Sequence, residues 1–316
     1  MNLTHFLQLV EIKTKIASVF PFLIGLFFTL YRYETLNVKA TFVFFAAMLI
    51  FDLTTTSINN FLDYRKSDDD AYRQDVNIIG SAGLNEKTVL FVILAMLTVA
   101  TGLGLYLVSL TSWLVLLIGA LCFAIGIFYT FGPIPLSRLP LGEIFSGVTM
   151  GFGILFLTVY VNTHQLGYLA VNISQGILSI QLSVPEMLTL LLVSLPSIFT
   201  IANLMLANNI CDLEEDVKNN RYTLVYYIGK KRAVVLFHVL YACSFLSILV
   251  CVLLGIHNAW MLIALIVLPL VLKGLAKFRQ EQVKSRTFVV AVRNLVLIDG
   301  ILIIGLSISN ISRFFS

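Results

Sequence analysis

Nine stretches of about 20 mainly apolar residues run through this chain, near 16–32, 40–62, 88–109, 112–131, 142–162, 184–209, 233–255, 258–275 and 290–311. A helix rising about 1.5 Å per residue needs roughly that length to cross the hydrocarbon layer of a bilayer. Period-2 alternation with hairpin turns is missing, which argues against a β-barrel. The pattern therefore predicts an all-α, polytopic membrane protein, a bundle of about nine transmembrane helices. Composition agrees: 59% of the 316 residues are hydrophobic and 12% are charged, about half the charge of a soluble domain. The net charge of +4 is too small to suggest a nucleic-acid partner.

The placement of the cations orients the bundle. With the N-terminus on the cytoplasmic side, eighteen of the 21 Lys and Arg residues fall in cytoplasmic segments. Only Arg32, Lys39 and Arg313 face the other way, as the positive-inside rule requires. The first apolar run follows Lys13 and Lys15 without a small-residue cleavage site, so it reads as a span and not as a removable signal. The expected organisation is one membrane-embedded domain over 1–316, lying in a bacterial plasma membrane. Val161 to Pro185 reads as a longer external loop, and Gly147 with Gly151 as a close helix contact. The four cysteines include no CxxC pair and read as packing residues, and the four histidines are scattered.

Two stretches at the cytoplasmic ends of the second and sixth spans carry the chemistry. The first, within 59–75, reads Asn59-Asn60-Phe61-Leu62-Asp63, then Tyr64-Arg65-Lys66-Ser67-Asp68-Asp69-Asp70. The second, within 208–224, reads Asn208-Asn209-Ile210-Cys211-Asp212, then Leu213-Glu214-Glu215-Asp216. Residues four apart share a helix face, so Asn59 and Asp63 form one oxygen-bearing edge and Asn208, Asp212 and Asp216 another. Hard oxygen ligands suit Mg²⁺, which commonly shares its shell with substrate phosphates. The flanking Arg65, Lys66, Arg73, Lys218 and Arg221 are suited to contacting phosphate directly. A diphosphate clamped between two such stretches becomes a good leaving group. The reading requires the two acidic helix ends to meet over one cavity. Asp52, Glu143 and Asp299 lie in or at the edge of spans, and each is open to a structural or a site role.

These residues resemble the UbiA-type intramembrane aromatic prenyltransferases over essentially the whole chain. The likeness rests on both Asp-rich stretches, on Lys13-Thr14, on Tyr129-Thr130-Phe131-Gly132-Pro133 with Leu141-Gly142-Glu143, and on Asn220-Arg221-Tyr222-Thr223-Leu224. Within the family it is strongest toward the members that prenylate 1,4-dihydroxy-2-naphthoate in menaquinone biosynthesis. The resemblance implies a Mg²⁺-dependent enzyme that moves a polyprenyl group from its diphosphate to an aromatic acceptor. With the naphthoate as acceptor, its carboxylate is lost and demethylmenaquinone results. Asn59, Asp63, Asp68 or Asp69, Asp212 and Asp216 would bind the metal, and Tyr129 would lie near the reacting carbon. Three departures stand out: Asn60 where Asp is usual, Glu11-Ile12 where Arg-Pro is usual, and Cys211 where Arg is frequent. Other acceptors (a 4-hydroxybenzoate-like phenolic acid, haem or a glycerol-phosphate lipid) stay open, as does an ion-coupled transporter with paired carboxylates.

Overall fold

The computed structural model describes residues 1–66, 72–130, 135, 139–174 and 176–314. Among these, eight helices are long and apolar enough to cross a membrane, and Trp113–Tyr129 is a shorter apolar ninth. The protein is a polytopic α-helical membrane protein, as its apolar runs dictate. The chain divides into two units, Met1–Val19 with Val38–Pro135, and Phe20–Asn37 with Leu136–Ser316.

The first unit begins with α1 (Leu3–Leu9), whose first turn is capped where Asn2 Oδ1 accepts from His5 N at 2.8 Å. A 3₁₀ turn (Ile12–Lys15) leads into α2 (Ile16–Tyr33), whose opening residues belong here. Next come α3 (Val38–Lys66), a π turn at Tyr72–Val76, α4 (Ile78–Ser81), α5 (Glu86–Leu110) and α6 (Trp113–Thr130). The principal packing is α3 along α5, with α6 against both. At one end of that pair, Leu9, Phe61, Ile79, Val89 and Ile93 form a buried apolar cluster. Gly126 lets α6 approach α3, since a Cβ there would lie 2.9 Å from the Phe51 ring.

Asp52 takes a structural role in this unit. Buried Lys15 donates to Asp52 Oδ1 at 2.9 Å and to the Asp52 carbonyl at 3.2 Å, while Ser18 Oγ donates to Oδ2 at 2.6 Å. The carboxylate is thus satisfied on both oxygens.

The second unit holds the rest of α2, then α7 (Gly142–Ser146), a π-helical segment (Gly147–Gly153) and α8 (Ile154–Thr163). A hairpin of β1 (Leu169–Ser174) and β2 (Ile177–Leu182) follows, with Leu169 opposite Leu182. The expected external loop therefore contains a small antiparallel ribbon. Then come α9 (Val184–Cys211), α10 (Leu213–Lys218), α11 (Leu224–Ile228), α12 (Lys230–Leu253), a 3₁₀ stretch (Ala259–Val267), α13 (Leu268–Gln280) and α14 (Lys284–Phe314).

Helix α9 organises this unit by packing on α12, α14, α7 and the π-helical segment. Gly147 and Gly151 make the last of these contacts possible. A Cβ would come within 2.8 Å of the Ile198 carbonyl oxygen at the first and 2.6 Å of Ile198 N at the second. Fully buried Asp299 on α14 accepts from Ser197 Oγ at 3.1 Å and Thr200 Oγ1 at 3.0 Å on α9. Such bonds answer the cost of a polar group in an apolar interior.

Candidate active site

Each Asp-rich stretch is described within its own unit. In the first, Asn59 and Asp63 sit half-buried in the last two turns of α3. Asn60 has a different task from its neighbours. Its Nδ2 donates to the Leu9 carbonyl at 2.9 Å and to Glu11 Oε1 at 3.2 Å, while its own carbonyl accepts from Asn77 Nδ2 at 2.9 Å. A carboxylate could not donate these bonds, so the departure from Asp at this place has a local physical reason. Glu11 meets it from the left-handed region, φ 48°.

Arg65 is loosely held. Arg65 Nε lies 3.5 Å from Glu86 Oε2, both side chains well exposed, and its guanidinium lies over the Phe61 ring at 5.6 Å. Such exposed pairs contribute little, leaving Arg65 available to a stronger anion. Lys66 closes α3, and Arg73 lies in the π turn. There its carbonyl would be 1.9 Å from a Cβ at position 80, a place only Gly80 can fill. Tyr129 is half-buried in the final turn of α6. Asp68, Asp69 and Asp70 lie outside the described residues, as do 131–134 and Arg138.

In the second unit the carboxylates follow one another at helical spacing. Asp212 N donates to the Asn208 carbonyl at 2.9 Å, and Asp216 N to the Asp212 carbonyl at 2.8 Å. The i, i+4 register thus carries from α9 into α10 across Asp212, and the edge expected from the spacing is present in the backbone. Asn220 then adopts the left-handed conformation (φ 55°), which Asn tolerates, and turns the chain back. That reversal brings Arg221 N to the Asp216 carbonyl at 2.8 Å and Arg221 Nε to 3.5 Å from Asp216 Oδ1. Lys218 is exposed on α10.

Asp216 is only 5% exposed, and its Oδ2 is buried without a hydrogen-bond partner among the described residues. Burial outweighs the opposing pull of Arg221 and pushes its carboxyl up to about 6. Two contacts of this stretch escaped the sequence. Lys284, the first residue of α14, ion-pairs with Asp212. Asn209 Nδ2 donates to Glu143 Oε1 at 2.9 Å, both side chains buried. Neither has a sequence signal, because the partners are 72 and 66 residues apart.

The sequence profile of the UbiA prenyltransferase family matches residues 18–297. The chain belongs to that family. It is 28% identical over 289 residues to the 1,4-dihydroxy-2-naphthoate octaprenyltransferase of Bacillus subtilis, covering 89% of this chain and 84% of that one. Among solved structures, the apo UbiA homolog from Aeropyrum pernix K1 superposes with TM-score 0.68 at 16% identity, over 92% of this chain and 97% of that one. The UbiA homolog from Archaeoglobus fulgidus bound to DMAPP and Mg²⁺ gives 0.64 at 12% identity, over 96% and 98%. These two likenesses show the fold.

Among the described residues, no three acidic, His or Cys side chains converge as a ready-made metal cage. Mg²⁺ does not need one, since it keeps several waters and binds through one or two carboxylates together with substrate phosphates. The unpartnered, buried Asp216 Oδ2 beside Asp212 is the kind of acceptor such an ion satisfies. The residues of the second stretch fit the metal.

Proposed function

We propose that this UbiA-family protein transfers a polyprenyl group from polyprenyl diphosphate to an aromatic acceptor, 1,4-dihydroxy-2-naphthoate, with loss of CO₂. The observation that carries the reading is the pair Asp212 and Asp216, on successive turns, each answered by a cation of the chain. Asp212 and Asp216 hold metal from the second stretch, and Asn59, Asp63 and one of Asp68 or Asp69 hold it from the first. Bound Mg²⁺ neutralises the charge that develops on departing diphosphate. Arg65, Lys66, Arg73, Lys218 and Arg221 contact the phosphate oxygens, Asn208 orients them, and Tyr129 stands near the allylic carbon. The C–O bond to diphosphate breaks, the ring carbon bearing the carboxylate takes up the prenyl cation, and CO₂ leaves. Demethylmenaquinone in its quinol form remains. The B. subtilis relative's name supports the choice of acceptor, and the A. fulgidus complex supports Mg²⁺ and a prenyl diphosphate. The cation distribution supports the N-terminus and both stretches on the cytoplasmic side, and the B. subtilis relative supports a bacterial plasma membrane.

The test is turnover by purified protein given Mg²⁺, a polyprenyl diphosphate and a choice of dihydroxynaphthoate, 4-hydroxybenzoate, haem or a glycerol-phosphate lipid. Prenylated naphthoquinol with stoichiometric diphosphate and CO₂ is expected. Asp63→Ala and Asp212→Ala should each lose at least about 100-fold in rate while still inserting, the scale of removing a charge stabiliser. Product with a different acceptor alone would replace the acceptor, and full activity of either variant would remove the metal assignment.

A further inference from the structure

The Lys284–Asp212 ion pair joins the first residue of α14 to the second Asp-rich stretch. Its two ends differ in freedom. The Asp212 side chain is 12% exposed, whereas that of Lys284 is 56% exposed. The backbone from which Lys284 springs is fixed. Buried Thr287 takes the Val283 N–H on its hydroxyl at 2.9 Å and returns its own N–H to the Val283 carbonyl at 2.8 Å. Lys284 is therefore a long, solvated arm on a rigid post, its ammonium resting on the carboxylate proposed to bind metal. The arrangement at Asp216 is unlike it. Arg221 is bound there through the backbone turn, its Nε is 3.5 Å from Oδ1, and Oδ2 is left open. Asp216 thus keeps one oxygen open beside its arginine, whereas Asp212 carries the lysine.

An ammonium and a divalent ion cannot share one carboxylate without strong mutual repulsion. Metal entry must therefore release the lysine. Once released, its reach from residue 284 keeps it beside Asp212, where a diphosphate held by the metal would offer it phosphate oxygens. We infer that Lys284 is a tethered counter-cation of this site, which competes with the metal for Asp212 and, when displaced by it, contacts the diphosphate. This rests on the reading of Asp212 as a metal ligand. It adds a residue from the far end of the chain to the substrate-binding set, and it sets an order of events: metal first, then lysine to phosphate.

The inference is tested on the full-length protein in detergent, without turnover. Calorimetric titration with Mg²⁺ alone should show about threefold tighter binding in Lys284→Ala than in the wild type, the scale of an exposed ion pair. Titration with inorganic diphosphate at saturating Mg²⁺ should show about tenfold weaker binding in Lys284→Ala. Lys284→Arg should recover most of that loss, since charge rather than shape is at stake. A merely structural lysine would not move the two titrations in opposite directions. Unchanged or weaker Mg²⁺ binding in Lys284→Ala overturns the inference, as does unchanged diphosphate binding. Asp212→Asn separates the two levels. If it binds Mg²⁺ as the wild type does, the metal reading itself fails. If it loses Mg²⁺ while Lys284→Ala changes nothing, only the role of Lys284 falls.

Discussion

Asn209 Nδ2 donates to Glu143 Oε1 at 2.9 Å, so the last turn of α9 is bolted to α7 by a bond between two buried side chains. Glu143 thus holds in place the helix end from which Asn208 and Asp212 project. Its other oxygen, Oε2, is buried with no hydrogen-bond partner among the described residues, and Oε1 takes the Asn209 bond.

Asn209→Ala should therefore cost about 1–3 kcal/mol, the price of stranding a buried acceptor. Glu143→Gln should cost less, because an amide oxygen still accepts from Asn209. Chemical denaturation in detergent measures both. Equal losses in the two variants would show that the bond does not matter.

Lys15, buried, and Asp52, partly buried, make the second connection, between the 3₁₀ turn before α2 and the middle of α3. Lys15→Met leaves Asp52 without its cation and should destabilise by about 3–5 kcal/mol, whereas Lys15→Met with Asp52→Leu should regain much of that. A double variant no more stable than the single one would overturn this account.

How much of this could be read beforehand follows from where the information lies. The spans were legible because each is a continuous apolar run, and the Asn208–Asp212–Asp216 edge because helical spacing is a local property. Family resemblance added Tyr129 and the expected chemistry. Lys284, Glu143 and Lys15 were visible only as charges, since their partners lie on other helices and no periodicity joins residue 284 to residue 212. Asn60 reads only as a departure from the Asp usual at its place, whereas its amide ties α3 to the chain around Leu9 and Glu11. The hairpin at 169–182 reads as loop because its two strands are only six residues long and too short to span a membrane.

The glycines separate by what surrounds them. A methyl at Gly151 would press to 2.6 Å on the backbone of Ile198, whereas at Gly102 it would meet nothing within 4 Å. Gly151→Ala should cost about 1–3 kcal/mol through forced separation of α9 from the π-helical segment. Gly102→Ala should be neutral or stabilising by up to about 1 kcal/mol, from helix propensity. Unfolding midpoints of the two variants decide it, and a Gly151→Ala protein as stable as the wild type would contradict the close contact.

Asp216 gives the site a pH dependence whose sign differs with and without metal. Folding raises its carboxyl from 3.8 to about 6 through burial, so the metal-free protein favours the protonated form. That contribution to stability is complete below about pH 4 and is lost as the pH climbs through 6. Mg²⁺ needs the carboxylate, so its binding runs the other way. The half-saturating Mg²⁺ concentration should be flat above about pH 7 and rise toward tenfold per pH unit below 6, as protons compete for one oxygen ligand. Melting curves in EDTA and in Mg²⁺ between pH 5 and 8 should therefore diverge, the Mg²⁺-induced shift growing with pH until it levels off. Asp216→Asn should bind Mg²⁺ more weakly throughout and lose the slope. A Mg²⁺ shift independent of pH in the wild type would mean that Asp216 does not ligate the ion.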